Sequence, residues 1–262
     1  MKYLLLSLMF GLFLQFTTHA QVKPKPLNIA NKPAKFTNNN PLKTKTKTKP
    51  KDKKMGLGVL RRPESIENND VANAYSSLDQ ESWETAIDQL DDFSESDPDA
   101  AFGLGFAYYQ EGEIDNAIAA FEQAVELDPN NTDALFGLGL IYVEQDNYEK
   151  AEEKFIEVLS IDPEDAEAWY ELAFLYLDSG YYEEASMFFE NVLLINPDDP
   201  DAPYELSRLH AINGNTEAAL SSLEMAFKNG FEDATFVLED PDLEEVRSTE
   251  TFAELMNMYF PD

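Results

Sequence analysis

A 34-residue internal repeat constrains this chain more than any other feature of its sequence. Small residues recur at that interval, and each is followed four residues later by a large apolar side chain. The small residues are Ala117, Ala151, Ala185 and Ala219, with Ala86 lying 31 residues before the first, and the apolar partners are Leu90, Phe121, Phe155, Phe189 and Leu223. One short unit cannot bury its apolar face by itself, so neighbouring units have to stack. The interval therefore predicts a linear stack of similar units.

Each unit is predicted to form two amphipathic helices. A second column of small residues, Gly105, Gly139 and Ala173, marks places where two helices approach closely. Prolines preceded by Asp or Asn occur at positions 98, 129, 163 and 197. They are predicted to stop each second helix, because proline lacks an amide proton and clashes with the preceding turn. Turns inside the units are expected at 112–114, 145–147 and 179–181.

Three segments resemble the tetratricopeptide repeat. Residues 100–108 and 168–176 are similar to the first helix of that repeat, and residues 116–124 are similar to its second helix. The resemblance implies an all-α fold, a right-handed superhelical solenoid of helix-turn-helix hairpins. It covers the range 67–230 in five units, at about 67–97, 98–131, 132–165, 166–199 and 200–230.

The two ends of the array depart from the pattern. In the first unit Asn73 and Ser77 stand where the family has leucine and tyrosine, and the 31-residue spacing predicts a connecting turn three residues shorter. Atypical terminal units commonly cap such arrays. A short helix is expected at 231–238, and residues 231–262 as a whole are predicted to form C-terminal capping helices. One face of the last of these carries Phe252, Leu255, Met256 and Tyr259.

In the tetratricopeptide family the first helices line a concave face, which commonly holds a segment of a partner protein. Three columns of this sequence, offset by three and four residues along each first helix, are predicted to line that groove. They comprise Phe102, Phe136, Tyr170 and Tyr204; Phe106, Leu140, Phe174 and Arg208; and Tyr109, Val143 and Leu177. Arg208 is the only cation among them, which argues against the family's basic clamp for acidic chain termini.

Acidic side chains surround the predicted groove. They include Asp133, Glu144, Glu167, Glu171, Asp178, Asp201 and Glu205. We therefore expect its partner to be a protein or peptide with apolar anchors and basic flanks. The alternative is that the three columns serve only to pack neighbouring repeats against one another.

The amino terminus has the pattern of a secretory signal peptide. Met1 and Lys2 precede an apolar run at 3–16, and Thr18-His19-Ala20 supplies small residues at a cleavage site. The run is shorter than the roughly 20 residues that cross a bilayer, which favours cleavage over retention as an anchor. The sequence thus predicts a signal peptide at 1–20, cleavage after Ala20 and an exported protein, periplasmic or secreted. No later apolar stretch has spanning length.

Charge divides the remaining chain into a basic arm and an acidic body. Residues 21–54 contain eleven lysines and one acid, a net charge of +10, whereas residues 55–262 contain seven basic and 50 acidic residues, a net charge of −43. The Lys-, Pro- and Thr-rich region 21–66 has little apolar surface to bury and is predicted to be disordered. It could act as a spacer, bind an anionic polymer or lipid surface, or fold back along the acidic groove.

The residue inventory excludes most catalytic chemistry. The chain has no cysteine and only two histidines, His19 and His210, so thiol nucleophiles, zinc–thiolate sites and histidine triads are excluded. Gly103 and Gly137 open Gly-Leu-Gly sequences inside predicted helices, where no phosphate loop forms. A pI near 4.1 argues against binding of nucleic acid. We predict a non-catalytic interaction scaffold without metal or cofactor, or alternatively an envelope-surface adaptor that binds through its arm.

Overall fold

The computed structural model describes residues 66–261, which form thirteen α-helices and no strand within that range. The predicted signal peptide and nearly all of the basic arm lie outside the described residues. Ten helices form five hairpins, and three shorter helices follow them. The hairpins are α1 (Asn69–Asp79) with α2 (Trp83–Leu90), α3 (Pro98–Glu111) with α4 (Ile114–Leu127), α5 (Thr132–Glu144) with α6 (Tyr148–Ile161), α7 (Ala166–Asp178) with α8 (Tyr182–Ile195), and α9 (Asp201–Ile212) with α10 (Thr216–Lys228). The last three are α11 (Ala234–Glu239), α12 (Glu244–Arg247) and α13 (Glu250–Tyr259).

The hairpins stack in sequence order. Each second helix contacts the first helix of the next hairpin, and α3 also contacts α1 and α5. One continuous apolar cluster runs from Val71 to Leu209 as a result. The all-α solenoid of helix-turn-helix units that the repeat predicted is therefore the observed fold. No helix in the described part of the chain is both long and apolar enough to cross a membrane.

Helix ends recur with the period of the repeat. Side-chain oxygens of Asp97, Asn131 and Asp165 accept hydrogen bonds from backbone amides in the first turns of α3, α5 and α7. Such side chains satisfy amides that have no partner inside the helix. Inside the hairpins the turns pass through one residue of positive φ, which is Glu81, Gly112, Asp146, Gly180 or Gly214. The caps and turns therefore give each hairpin nearly the same start and the same reversal.

Close helix contacts explain the second column of small residues. A β-carbon added to Gly105 would lie 2.6 Å from the ring of Phe121, and one added to Gly139 would lie 2.6 Å from the ring of Phe155. Carbon atoms in real side chains do not approach so closely. Glycine at these positions thus lets the first helix of a hairpin rest on an aromatic ring of the second.

In the first hairpin the second helix is shortened, and the connecting turn that follows it is not. The expectation of a shorter connecting turn was therefore wrong. Helix α2 has eight residues, whereas α4, α6 and α8 have 14 each. A short 3₁₀ turn, Asp91–Phe93, follows α2, and seven residues separate α2 from α3, compared with four between α4 and α5. Pro98 consequently begins α3 and does not stop the preceding helix.

The three short helices cover the end of the last hairpin. Phe252 and Leu255 of α13 are buried, and Met256 and Tyr259 pack against the same apolar cluster, which includes Phe227 of α10. The short helix expected at 231–238 begins only at Ala234. The sequence Asp-Pro-Asp at 240–242 repeats that at 199–201, so the segment after α11 starts in the same way as α9.

Candidate partner-binding groove

The eleven predicted groove residues lie on α3, α5, α7 and α9, the first helices of four successive hairpins. Eight of them are at most 6% exposed: Phe102, Phe106, Phe136, Leu140, Tyr170, Leu177, Tyr204 and Arg208. Three are half-buried: Tyr109, Val143 and Phe174. The repeat identified which residues share a column, and the structure shows how deeply each column is buried.

The first column packs within its own hairpin. The ring centroid of Phe102 lies 5.7 Å from that of Phe121, Phe136 lies 5.5 Å from Phe155, and Tyr170 lies 5.8 Å from Phe189. Each pair joins the first helix to the second at a distance typical of favourable aromatic contact. Tyr204 differs, because its ring stacks on Phe231 of the C-terminal segment at 4.5 Å.

Two tyrosines of this column also connect one unit to the next. The Tyr170 hydroxyl donates to Asp199, and the same Asp199 oxygen accepts the backbone amides of Asp201 and Ala202 at 2.9 and 2.8 Å. Burial, followed by Asp199 and nearby carboxylates, raises the pKa of Tyr170 well above its usual range. The phenol therefore stays protonated and acts as a donor that fixes the start of α9.

Tyr204 repeats this arrangement at the end of the array. Its hydroxyl donates to Asp240, whose other oxygen accepts the Asp242 amide at 2.9 Å. Burial and the Asp240 charge raise the pKa of Tyr204 as well. The Asp-Pro-Asp sequences at 199–201 and 240–242 were the signal in the sequence for these two contacts.

The second column contains two different environments. Phe106 meets Trp83 of the preceding hairpin edge-on at 5.9 Å, and Phe174 stacks on Tyr170 at 6.1 Å. Phe106 is buried, but Phe174 keeps part of its surface accessible. Among the aromatic rings of this column, Phe174 is therefore the one that an incoming segment can contact.

Arg208, the predicted groove cation, is instead held inside the fold by three carboxylates. Its Nη1 lies 2.6 Å from Glu205, its Nε lies 3.0 Å from Asp240, and its Nη2 lies 2.8 Å from Asp242. The side chain is only 3% exposed. Arg208 thus binds α9 to the segment that follows α11 and does not serve as a receptor for an acidic ligand.

The third column contributes the accessible positions of α3 and α5. The Tyr109 hydroxyl donates to Glu144, which links α3 to α5 across the face of the first helices. Burial and Glu144 raise the pKa of Tyr109. Tyr109 and Val143 are both half-buried, and with Phe174 they place one partly accessible apolar side chain on each of α3, α5 and α7.

The electrostatics of this face are strongly negative. Asp99, Asp133, Glu167 and Asp201 occupy the first turns of successive first helices, 34 residues apart. Burial, together with Asp97, Asp128 and Asp133, raises the pKa of Asp99, which shows that carboxylates of neighbouring hairpins influence one another. Residues 66–261 carry five basic and 48 acidic side chains, and no Lys, Arg or His occurs from 63 to 149. Within 66–261 no acidic or histidine side chains gather as the ligands of a metal ion would.

These features define a class of protein, a helical-hairpin solenoid whose first helices form one continuous, partly apolar and acidic face. A TPR repeat family model matches residues 105–146 and 139–180, and a tetratricopeptide repeat model matches residues 166–199. Residues 105–199 of the chain are thus tetratricopeptide repeats.

Solved structures share the fold. A structure of Pseudomonas aeruginosa PilF is 21% identical, with a TM-score of 0.59, and the match covers 74% of this chain and 91% of that one. A crystal structure of MamA is 20% identical, with a TM-score of 0.56, and the match covers 62% of this chain and 96% of that one. A comparison with curated proteins found no match. At these identities the likeness concerns the fold alone.

Proposed function

We propose that this protein is a non-catalytic scaffold that binds a segment of another protein along the face formed by α3, α5, α7 and α9. The observation that carries the proposal is the set of half-buried side chains Tyr109, Val143 and Phe174, one on each of three successive hairpins. Tetratricopeptide arrays mediate protein–protein interactions, and an accessible apolar row within an acidic face is a suitable receptor for a peptide.

The surface chemistry favours one kind of partner. Apolar side chains of a ligand would contact the accessible row, while basic residues on either side would meet the acidic positions Asp99, Asp133, Glu167 and Asp201. Aromatic anchors in partly desolvated sites dominate the binding energy of most interfaces, whereas charged rims mainly steer association. The buried members of the three columns determine the shape of the face but offer little contact area.

The place of action belongs to the same proposal. The tripartite pattern of residues 1–20 supports export to the periplasm or the medium, with the partner in that compartment. Amino-terminal sequencing of the protein purified from its native cells tests this. A mature chain that begins at Gln21 is expected, and a chain that retains residues 1–20 would contradict export with cleavage.

A second candidate function rests on the eleven lysines of residues 21–54. In it the arm binds an anionic polymer or lipid surface, and the repeats present or space that contact. Attraction between exposed charges is screened by salt, with a Debye length of about 10 Å at 0.1 M. Binding through the arm should therefore disappear at moderate salt, whereas apolar binding in the groove should persist.

A peptide selection tests the groove directly. The full chain would be used to select ligands from a random peptide library, and the affinity of the recovered peptides would be measured by fluorescence anisotropy. We expect basic peptides with aromatic or aliphatic residues, and a loss of affinity of about tenfold or more in Phe174→Ala, since removing one aromatic anchor costs about 1.4 kcal/mol or more.

Met258→Ala is the matched control, because Met258 is 67% exposed and lies in α13, away from the proposed face. Circular dichroism would establish that both variants keep their helix content. Equal loss of affinity in the two variants, or selection of acidic peptides, would refute the proposed groove.

A further inference from the structure

We propose that the groove already has a ligand in its own chain: the lysine-rich segment 43–54 lies along the first helices and must be displaced before a partner binds. The segment contains seven lysines and one acid. The inference concerns the same face as the proposed function, but it requires no partner, so the two can fail separately.

Charge complementarity between the two parts of the chain is the first support. The arm has a net charge of +10 over residues 21–54, and residues 63–149 contain no Lys, Arg or His. That cation-free region includes α3 and α5, on which Asp99, Asp133 and Glu144 lie. The segment with the highest density of positive charge thus precedes the longest region of the chain that has no positively charged residue.

The spacing of the lysines suits a linear acidic face. In residues 43–49 lysine and threonine alternate. In an extended chain alternate side chains point to the same side, about 7 Å apart, so all four of these lysines would face one way. Twelve extended residues reach about 40 Å. Four stacked hairpins are separated by three steps of about 10 Å each, so the acids from Asp99 to Asp201 span about 30 Å, which the segment can cover.

A buried carboxylate adds to the negative charge at one end of this row of acids. Glu205 is 1% exposed, and its Oε2 accepts from Arg208, but its Oε1 has no hydrogen-bond partner in the described structure. A buried acceptor without a partner is costly. Glu205 follows Asp201 by one helical turn on α9 and contributes, with Asp201, to the negative potential at Tyr170.

The half-buried side chains suit lysine equally well. Lysine carries a long apolar stem, which can lie on apolar surface while its ammonium reaches a carboxylate. Phe174 and Tyr109 present partly accessible rings, Tyr109 lies beside Glu144, and an ammonium over such a ring gains further attraction. The segment would thus use the apolar row through its stems and the acidic row through its charges.

The tether is long enough and favours binding in the same molecule. Eleven residues separate Lys54 from Ile66, the first described residue, and an extended chain of that length reaches at most about 40 Å. A short tether of this kind gives an effective concentration in the millimolar range. A contact that is weak between separate molecules would therefore be well populated within one.

The experiment uses the absence of cysteine in the natural chain. Thr48→Cys in the full chain carries a nitroxide, and methyl NMR records the attenuation of Val143 and Leu177 on α5 and α7, with Met258 as the control on α13. Tethered binding should make the two groove methyl signals lose roughly half of their intensity or more. The Met258 signal should be unchanged.

Two comparisons separate specific docking from general attraction. Replacement of Lys43, Lys45, Lys47 and Lys49 by Gln should restore the groove signals, whereas the same replacement at Lys23, Lys25, Lys32 and Lys35, with an equal change in charge, should not. The signals should also recover at about 0.5 M NaCl, where the Debye length is about 4 Å. Equal recovery with both sets of replacements, or attenuation spread evenly over the molecule, would overturn the proposal.

A mixture of spin-labelled chains and isotope-labelled chains distinguishes the source of the segment. Attenuation that persists at full strength in the mixture would show that a second copy supplies the segment, and the intramolecular proposal would be wrong. If peptides selected on the chain bind several-fold more tightly after Lys43–Lys49 are neutralised, the competition is supported. Failure to select any peptide would count against the proposed function and would leave the NMR result unaffected.

Discussion

The interior hairpins and the C-terminal junction use the same backbone position for opposite chemistry. Phe174 in the fourth hairpin and Arg208 in the fifth lie 34 residues apart, in the same column. Phe174 packs on the rings of Tyr170 and Phe189, whereas Arg208 pairs with Glu205, Asp240 and Asp242. Within the fourth hairpin, this position makes apolar contacts. Where the array meets a segment of different shape, buried charges and hydrogen bonds specify the contact.

We expect the largest loss of stability at the C-terminal junction, where charged side chains make the contacts. Arg208→Ala leaves three carboxylates at the junction without their cation, and loss of one partner of a buried ion pair costs about 3–5 kcal/mol of unfolding free energy. Phe174→Leu, at the equivalent position, should cost less than about 1.5 kcal/mol because it keeps the apolar contact. Denaturant unfolding of both variants measures the difference.

Arg208→Lys serves as the control for charge alone, since it keeps the cation but cannot reach all three carboxylates. We expect an intermediate loss of stability. If Arg208→Ala and Phe174→Leu were equally stable, the ion pairs would contribute nothing particular to this junction, and the contrast between the two regions would be lost.

We expect a smaller loss of stability inside the array, where helices α5 and α6 pack closely at Gly139. In Gly139→Ala the new β-carbon would lie 2.6 Å from the Phe155 ring. Such overpacking costs about 1–3 kcal/mol, which outweighs the gain of about 1 kcal/mol when alanine replaces glycine in a helix. The midpoint of denaturation should therefore fall.

The chain itself suggests how to rescue this variant. In the fifth hairpin the column holds Ser207, and the residue corresponding to Phe155 is Leu223. Adding Phe155→Leu to Gly139→Ala should recover most of the lost stability, because the smaller side chain leaves room for the methyl group. Unchanged stability in the single variant would show that α5 and α6 can separate slightly without cost.

The smallest effect concerns Asp99, whose charge interacts with those of Asp97, Asp128 and Asp133. The pKa of Asp99 is raised, so its carboxyl binds a proton more tightly in the folded state than in the unfolded state. The associated stabilisation is complete below the unfolded pKa, near 4, and is lost as the pH rises through the folded pKa. Lowering the pH from 7 towards 4.5 should therefore raise the Tm.

Asp99→Asn should reduce this increase by about 1–2 °C, and Glu153→Gln, at a residue that is 63% exposed, should leave it unchanged. Melting curves at several pH values, recorded at constant ionic strength, provide the measurement. An identical increase in the native chain and in Asp99→Asn would show that crowding of carboxylates around Asp99 does not affect stability.

The sequence predicted the fold well because the repeat encodes it several times. The column of Gly105 and Gly139 indicated where helices touch, and the structure places Phe121 and Phe155 against them. The period could not predict how deeply each side chain is buried. It shows which residues share a face of a helix but not how closely the next unit covers them. That is why Phe102 and Phe174 belonged to one predicted groove, although only Phe174 is partly accessible.

Two other structural features could not be predicted from the repeat. The 31-residue spacing showed that three residues were missing from the first hairpin but not that helix α2 was the shorter element. The partners of Arg208 include Asp240 and Asp242, which belong to a segment without the period, so no column could have paired them. A third Asp-Pro-Asp sequence, at 97–99, also precedes a first helix and shows that the motif marks the start of one.

The order of contacts along the chain also has a consequence for its biosynthesis. Because each hairpin packs against its neighbours in sequence, it can fold as soon as the adjacent hairpin has left the ribosome, without waiting for distant parts. The exception is the far edge, where Leu223 and Phe227 are covered by Phe252 and Leu255. That edge stays uncovered until Phe252 and Leu255 have emerged. In this interval the nascent protein exposes an apolar surface that a chaperone or another chain can bind.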